Sequence, residues 1–177
     1  MIVWIDGAFG SGKTTLVDEL RARLPEAWVF DPEDVGYLLL RTVPMPATDD
    51  FQDMPVWRPL VAAFVSALDA AYGRTLLVPM TLQSAAYRAE IFGLVRAPLT
   101  HVFLDVTAAE LRRRITAQVL VPDDPAADAA TRDWRLSRVD SGVAARATLP
   151  AGSVVLDVDT RTPAELADEL LGRVRLD

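Results

Sequence analysis

Apolar residues along this chain follow two alternating patterns: short unbroken runs, and longer stretches in which they recur every three or four positions. The unbroken runs fall at residues 2–5, 27–30, 75–80, 100–106 and 152–160, where length and β-branched content predict buried strands. Between them the spacing is helical. Leu16, Val17, Leu20 and Leu24 give one apolar stripe over 14–24, and Leu60, Val61, Phe64, Leu68 and Ala71 give another over 56–72, closed by Gly73. Further helices are predicted from Pro32 to about Arg41, over 85–96 and 108–118, from about Trp134 to Ala147, and over 163–174, where Thr162 precedes Pro163 at the start.

Strand and helix alternating in this way predict an α/β fold, with helices on both faces of a mainly parallel five-stranded sheet. Two segments break the pattern. Residues 42–55 contain three prolines and three acids, which reads as an exposed excursion beside the active face. Residues 121–133 are polar and poor in large side chains, and they read as the mobile centre of a small lid spanning about 118–138. A chain of 177 residues, 51% of them hydrophobic, fits a single domain over 1–177 with a substantial core.

Charge and composition narrow the partners. The net charge of −7, with no run of basic residues, argues against nucleic acid. No apolar stretch approaches the ~20 residues of a membrane span. The opening "MIVWIDG" lacks the basic region of a secretory signal, and the chain has no cysteine, so a soluble cytoplasmic protein is expected, as monomer or homodimer. One compositional detail points to chemistry: Lys13 is the only lysine beside seventeen arginines.

Lys13 lies in "GAFGSGKT", where Gly7, Gly12, Lys13 and Thr14 match G-x-x-x-x-G-K-[ST] between a predicted strand and a predicted helix. In this arrangement Gly7, Ala8, Phe9, Gly10, Ser11, Gly12, Lys13, Thr14 and Thr15 cradle the phosphates of ATP or GTP on inward-facing N–H groups. Lys13 reaches the β- and γ-phosphates, and the Thr14 hydroxyl ligates Mg²⁺. A planar arginine fork does not replace a compact ammonium there. The expected fold is therefore a P-loop kinase-like three-layer sandwich.

The acceptor is sought at the carboxyl ends of the strands. Asp31 in "VFDPED" can act as base, cap the helix starting at Pro32, or do both. Asp6 and Asp105 also close strands and can serve the metal through water; Asp6 rivals Asp31 for metal or acceptor. Strand three ends in "VPMT" without the usual acid. Trp57 and Arg58 suit an acceptor with a planar or apolar part and a polar one, or else are a core tryptophan and a solvated arginine. Met80, Thr81 and Gln83 follow strand three and can bind substrate. Arg112, Arg113, Arg114, Arg132, Arg135 and Arg138 flank the lid; one or two of them, with Arg112 and Arg138 favoured, are expected to close on the transferring phosphoryl group. His101, the only histidine, is read as structural.

Four stretches, "IVWIDGAFGSGKTT", "FDPEDVGYLL", "DDFQDMPVWRPL" and "LLVPMTL", resemble the tunicamycin-resistance ATP-binding proteins over about the first 85 residues. The resemblance extends to self-resistance phosphotransferases for capuramycin- and muraymycin-type nucleoside antibiotics. It implies transfer of the γ-phosphoryl group to a hydroxyl of such an antibiotic, with Asp31 as base and Trp57, Arg58 and residues 79–83 lining the acceptor site. Two other readings stay open: a housekeeping kinase for a nucleoside or other small molecule, and an NTP-gated protein that binds the drug without modifying it.

Overall fold

The computed structural model describes residues 1–174. Its sheet has the order β2-β3-β1-β4-β5, where β1 is Ile2–Gly7, β2 Trp28–Val29, β3 Leu76–Pro79, β4 Leu99–Asp105 and β5 Val154–Asp157. Every pairing is parallel, so "mainly parallel" becomes wholly parallel. Between the strands run α1 (Lys13–Arg23), α2 (Glu33–Leu39), α3 (Trp57–Tyr72), α4 (Ala85–Leu94), α5 (Ala108–Ala117), α6 (Pro125–Ser137) and α7 (Val139–Ala144), and α8 (Pro163–Arg173) follows β5.

The unbroken apolar runs have their cause in the two-sided cover. In β1, Val3 and Ile5 face a core shared with Leu16 and Leu20 of α1, Ile115 of α5 and Leu170 of α8. Ile2 and Trp4 point the other way, toward Trp57, Val61 and Val65 of α3 and Ile91 of α4. With both faces covered, a strand gains nothing from a polar alternate position. The exception is β2 at the sheet edge. It keeps only Trp28 and Val29 of the expected four residues, and both are exposed.

The lid differs most from expectation. Residues 121–133 are not a loop: α6 begins at Pro125 and takes in most of them. The start signal is local, since Asp124 accepts the Ala126 and Ala127 amides and Pro125 occupies the first turn, where its missing N–H costs nothing. Asp128, one turn on, is buried and accepts the amides of Leu120 and Val121, which ties the incoming chain to the helix. The helix expected over 134–147 is split into the end of α6, α7 and a 3₁₀ turn over Ala145–Thr148. Similarly α2 stops at Leu39, and a 3₁₀ turn over Phe51–Asp53 interrupts the irregular 42–55 segment.

Strand order fixes where a ligand can sit. From β1 the chain first winds to one side through β2 and β3, then to the other through β4 and β5. The crevice at the carboxyl end of β1 lies at that reversal, and the glycine loop fills it.

Candidate active site

The loop from β1 to α1 is shaped by backbone. Gly10 and Gly12 have φ of 79° and 97°, left-handed values that a side chain resists, and they turn the chain so that α1 starts at Lys13. No side chain caps that helix and its first turn contains no acid. An uncapped N-terminus with its positive dipole end open is a receptor for anions. It opens on a cavity of about 250 Å³ lined by Gly12, Lys13, Thr14, Thr15, Asp31 and Glu33, among others. These residues fit a nucleotide phosphate chain with Mg²⁺: Thr14 supplies the hydroxyl ligand, and Asp31 and Glu33 face the same space. No cluster of three ligating acids or histidines occurs among the described residues, so waters and phosphate oxygens would complete the octahedron that Mg²⁺ prefers.

Lys13 is folded back over the loop. Its Nζ donates to the carbonyls of Gly7 and Ala8, both at 3.0 Å, and to Thr81 Oγ1 at 2.7 Å. Thr81 in turn donates to Gly7 O at 2.9 Å, so the end of β3 and the loop hold the ammonium jointly. Burial pulls Lys13 down to about 8, against the opposing pull of Asp6 and Glu33.

Across the cavity, Asp31 Oδ1 accepts the Glu33 amide at 2.9 Å. The bond to the start of α2 and the place in the cavity therefore coexist. Burial raises Asp31; burial and the neighbouring Asp31 raise Glu33. Arg135 closes this side. Its guanidinium lies 5.6 Å from the centre of the Phe9 ring and 3.3 Å from Gln118 Oε1.

A second cavity, of about 300 Å³, shares Phe9 and Thr81 with the first and is otherwise lined by Asp50, Gln52, Asp53, Gln83, Ser84, Tyr87 and Arg138. Arg138 is stacked 4.4 Å over the Trp134 ring and lies 3.7 Å from Asp50. Gln83 reaches the Arg138 carbonyl at 3.1 Å and accepts from Ser141 at 2.8 Å, so α7 closes this wall.

Several expected site residues lie elsewhere. Asp6 is in the core: Oδ1 accepts the amides of Gly7 and Leu82, and Oδ2 lies 3.4 Å from Arg88 and 3.3 Å from His101. With both oxygens engaged it is not free for metal or acceptor. His101 is buried in this network, with Ser153 on its other nitrogen. Trp57 is buried and donates from its indole to Pro32 O, so it belongs to the core rather than the acceptor wall. Arg58 pairs with Glu90 at 2.5 Å, donates to the Gln52 carbonyl and stacks 4.2 Å from the Tyr87 ring; it braces the wall without lining it. Arg112 pairs with Asp140 at 2.7 Å on the exposed side of α5, outside both cavities. Asp105 faces Arg146 at 3.2 Å. Met80, Thr81 and Gln83 do line cavities. Glu33, Gln118, Asp50, Gln52, Asp53 and Tyr87 were not foreseen. The acidic "DPED" pattern carried a signal for Glu33, whereas Tyr87 reads simply as a helix residue.

Comparison with known proteins agrees with the architecture. No functionally curated protein matches the sequence. The tunicamycin resistance protein of Deinococcus radiodurans superposes with a TM-score of 0.72 at 22% identity, over 99% of this chain and 96% of that one. A Mycobacterium tuberculosis APS kinase, solved with AMPPNP and APS, gives 0.68 at 21% over 97% and 95%. A sugar kinase from Janibacter gives 0.67 at 17% over 99% and 94%. These likenesses show a shared P-loop kinase fold. The AAA domain family model matches residues 2–141, the stretch that holds the glycine loop, both cavities and α6, and the chain belongs to that family.

Proposed function

We propose that the protein transfers the γ-phosphoryl group of ATP or GTP to a hydroxyl of a nucleoside antibiotic of the tunicamycin, capuramycin or muraymycin type, and so protects a cell from it. The observation that carries this reading is the opposition of Lys13 and Asp31 across one cavity, with a second, polar cavity joined to it at Phe9 and Thr81. The fold shared with a tunicamycin resistance protein supports the choice of acceptor.

In this mechanism Lys13 and the amides of the Gly7–Thr15 loop hold the phosphates. Mg²⁺, when bound through Thr14, supplies further neutralisation of phosphate charge. The groove beside the loop, lined by Ser11, Thr15, Arg114, Val158 and Arg161, would hold the nucleobase. Arg135 screens charge on the transferring group, the part first expected of Arg112 and Arg138. Arg138, Asp50 and Gln83 orient the acceptor. Asp31 Oδ2 accepts the hydroxyl proton as the acceptor oxygen bonds to the γ-phosphorus; the bond to the bridging oxygen breaks, and its electron pair leaves with the nucleoside diphosphate. Most of the catalysis is positioning and electrostatics.

Mass spectrometry of tunicamycin incubated with protein, ATP and Mg²⁺ tests the reading. A gain of one phosphoryl group supports it. Unmodified but bound drug means a sequestering protein, and phosphorylation of a simple nucleoside or sugar in place of the drug means a housekeeping kinase.

A further inference from the structure

Helix α3 differs from other surface helices in what it shows to solvent. Asp18 and Arg21 of α1, Arg112 and Arg113 of α5, and Glu165 and Asp168 of α8 all stand exposed, as the outer face of an amphipathic helix requires. From Pro59 to Tyr72, α3 carries one charge, Asp69, which is partly buried and paired with the N-terminal ammonium at 2.5 Å. Its single serine is engaged within the chain as well: Ser66 donates to Ala62 O at 2.6 Å and accepts the Arg96 amide at 2.9 Å. What faces water is Leu60, Ala63, Phe64, Ala67, Ala71 and Tyr72, a second apolar stripe at helical spacing on the side away from the core.

The edge of the sheet extends this stripe. Trp28 of β2 packs on Tyr72 with ring centroids 4.9 Å apart, and Phe30, just beyond β2, stacks on Phe64 at 4.6 Å, so strand edge and helix form one continuous surface. Trp28, Leu60, Phe64 and Tyr72 are 39%, 42%, 46% and 61% exposed. With Val29 and the alanines between them they offer on the order of 800 Å², the area that each partner gives up in an interface of standard size and more than a monomer commonly leaves bare.

We infer that two copies of this chain associate through this face, α3 against α3 with the β2 edges flanking, as a two-fold dimer. Charge selects a second copy as the occupant: a chain of net charge −7 repels its own kind except where it presents no charge, and the centre of this face presents none. Symmetry points the same way, because an isologous contact needs a surface that complements itself, and a neutral apolar one does so without paired charges. The alanines, one turn apart, let two helix axes approach closely, so that Leu60 and Phe64 of one copy fill the space beside Ala63 and Ala67 of the other. A lipid surface is the poorer match. An interfacial helix carries lysine and arginine along its polar side, whereas α3 has only Arg58, which is paired with Glu90. The inference does not depend on the phosphotransfer reading.

Sedimentation equilibrium of the purified chain over a concentration series tests it, and dimer is expected to predominate at micromolar concentration. Ala63→Glu and Ala67→Arg lie at exposed helix positions that accommodate a long side chain in the monomer. In the dimer each buries an unpaired charge twice, so each is expected to raise the dissociation constant about a hundredfold or more, with the circular dichroism spectrum unchanged. Val119→Asp, at an exposed apolar position in the turn after α5, is the control and is expected to dimerise like the wild type. A wild type that sediments as monomer throughout, a dimer that survives both charged variants, or one lost in Val119→Asp overturns the inference. Flotation of a monomeric wild type with phosphatidylcholine vesicles would assign the face to lipid and overturn it equally.

Discussion

The cleft has two halves built by different means. The half that holds phosphate is backbone: consecutive residues 7–15, left-handed at Gly10 and Gly12, with an uncapped helix start and one lysine. The half that faces the acceptor is side chains from several separate segments, namely Asp31 and Glu33, Asp50 to Asp53, Thr81 to Tyr87, and Trp134 to Arg138. A backbone receptor binds what all nucleotides share and admits little variation. A side-chain receptor is defined residue by residue and can differ between proteins of one fold, as the kinases that superpose on this chain suggest.

If that division is right, substitutions in the two halves fail differently. Lys13→Ala is expected to have the largest effect, a loss of about 10³-fold in kcat/KM that falls on every acceptor alike; steady-state kinetics with two unlike acceptors checks it, and an acceptor-dependent loss would blur the comparison. Asp31→Asn is expected to lower kcat by roughly 10²-fold with nucleotide affinity unchanged. The same variant should melt at a higher temperature. Burial raises the Asp31 carboxyl, so its ionised form costs stability in the folded state at neutral pH. The favourable side of this linkage is fully present below the unfolded carboxylate value and is lost as pH rises through the folded one. The melting difference between wild type and variant should accordingly shrink on acidification.

The third prediction concerns pH in the phosphate half. Lys13 sits at about 8, and phosphate binds its charged form, so nucleotide binding takes up a proton at higher pH. Affinity is expected to fall as pH rises above about 8, by up to about tenfold per unit, until the pKa of the bound state is reached; calorimetry in two buffers of different ionisation enthalpy would detect the uptake. The acceptor half carries shifts of the other kind, in carboxyls that burial raises: Asp31, Glu33 and Asp50. Arg58→Ala should give the smallest effect, a few-fold rise in the acceptor KM without change in the nucleotide KM, because Arg58, itself held by Glu90, steadies the Gln52 carbonyl and the Tyr87 ring from behind the wall. A matching rise for nucleotide would mean that the two halves are mechanically one.

The same division explains what could be read from the sequence. The order of strands and helices and the whole phosphate loop are local patterns, and they were legible. The helix over 125–137 was foreseen only in its last turn, because residues 125–133 contain no large apolar side chain and read as a loop, although Asp124-Pro125 is a start signal. Trp57 and Asp6 looked functional because a tryptophan beside an arginine, or an acid closing a strand, is equally suited to a core or a ligand. What decided between them was whether Pro32 O, or the amides of Gly7 and Leu82, came within reach, and that depends on contacts distant in sequence. Arg112 was favoured over Arg135 for the same reason, since only the fold shows that Arg135 is the one aimed into the cavity.

Asp6, although it touches neither cavity, bears on how such a protein changes over generations. By holding the Gly7 and Leu82 amides at once, and facing Arg88 and His101, it anchors the phosphate loop and the base of the acceptor wall to one buried point. Side chains further out, such as Met45 or Gln83, can then be exchanged without disturbing the anchor. Drift in the acceptor side is thereby separated from drift in the nucleotide side, and a lineage could change its acceptor through a few codons while its nucleotide site stayed as it was.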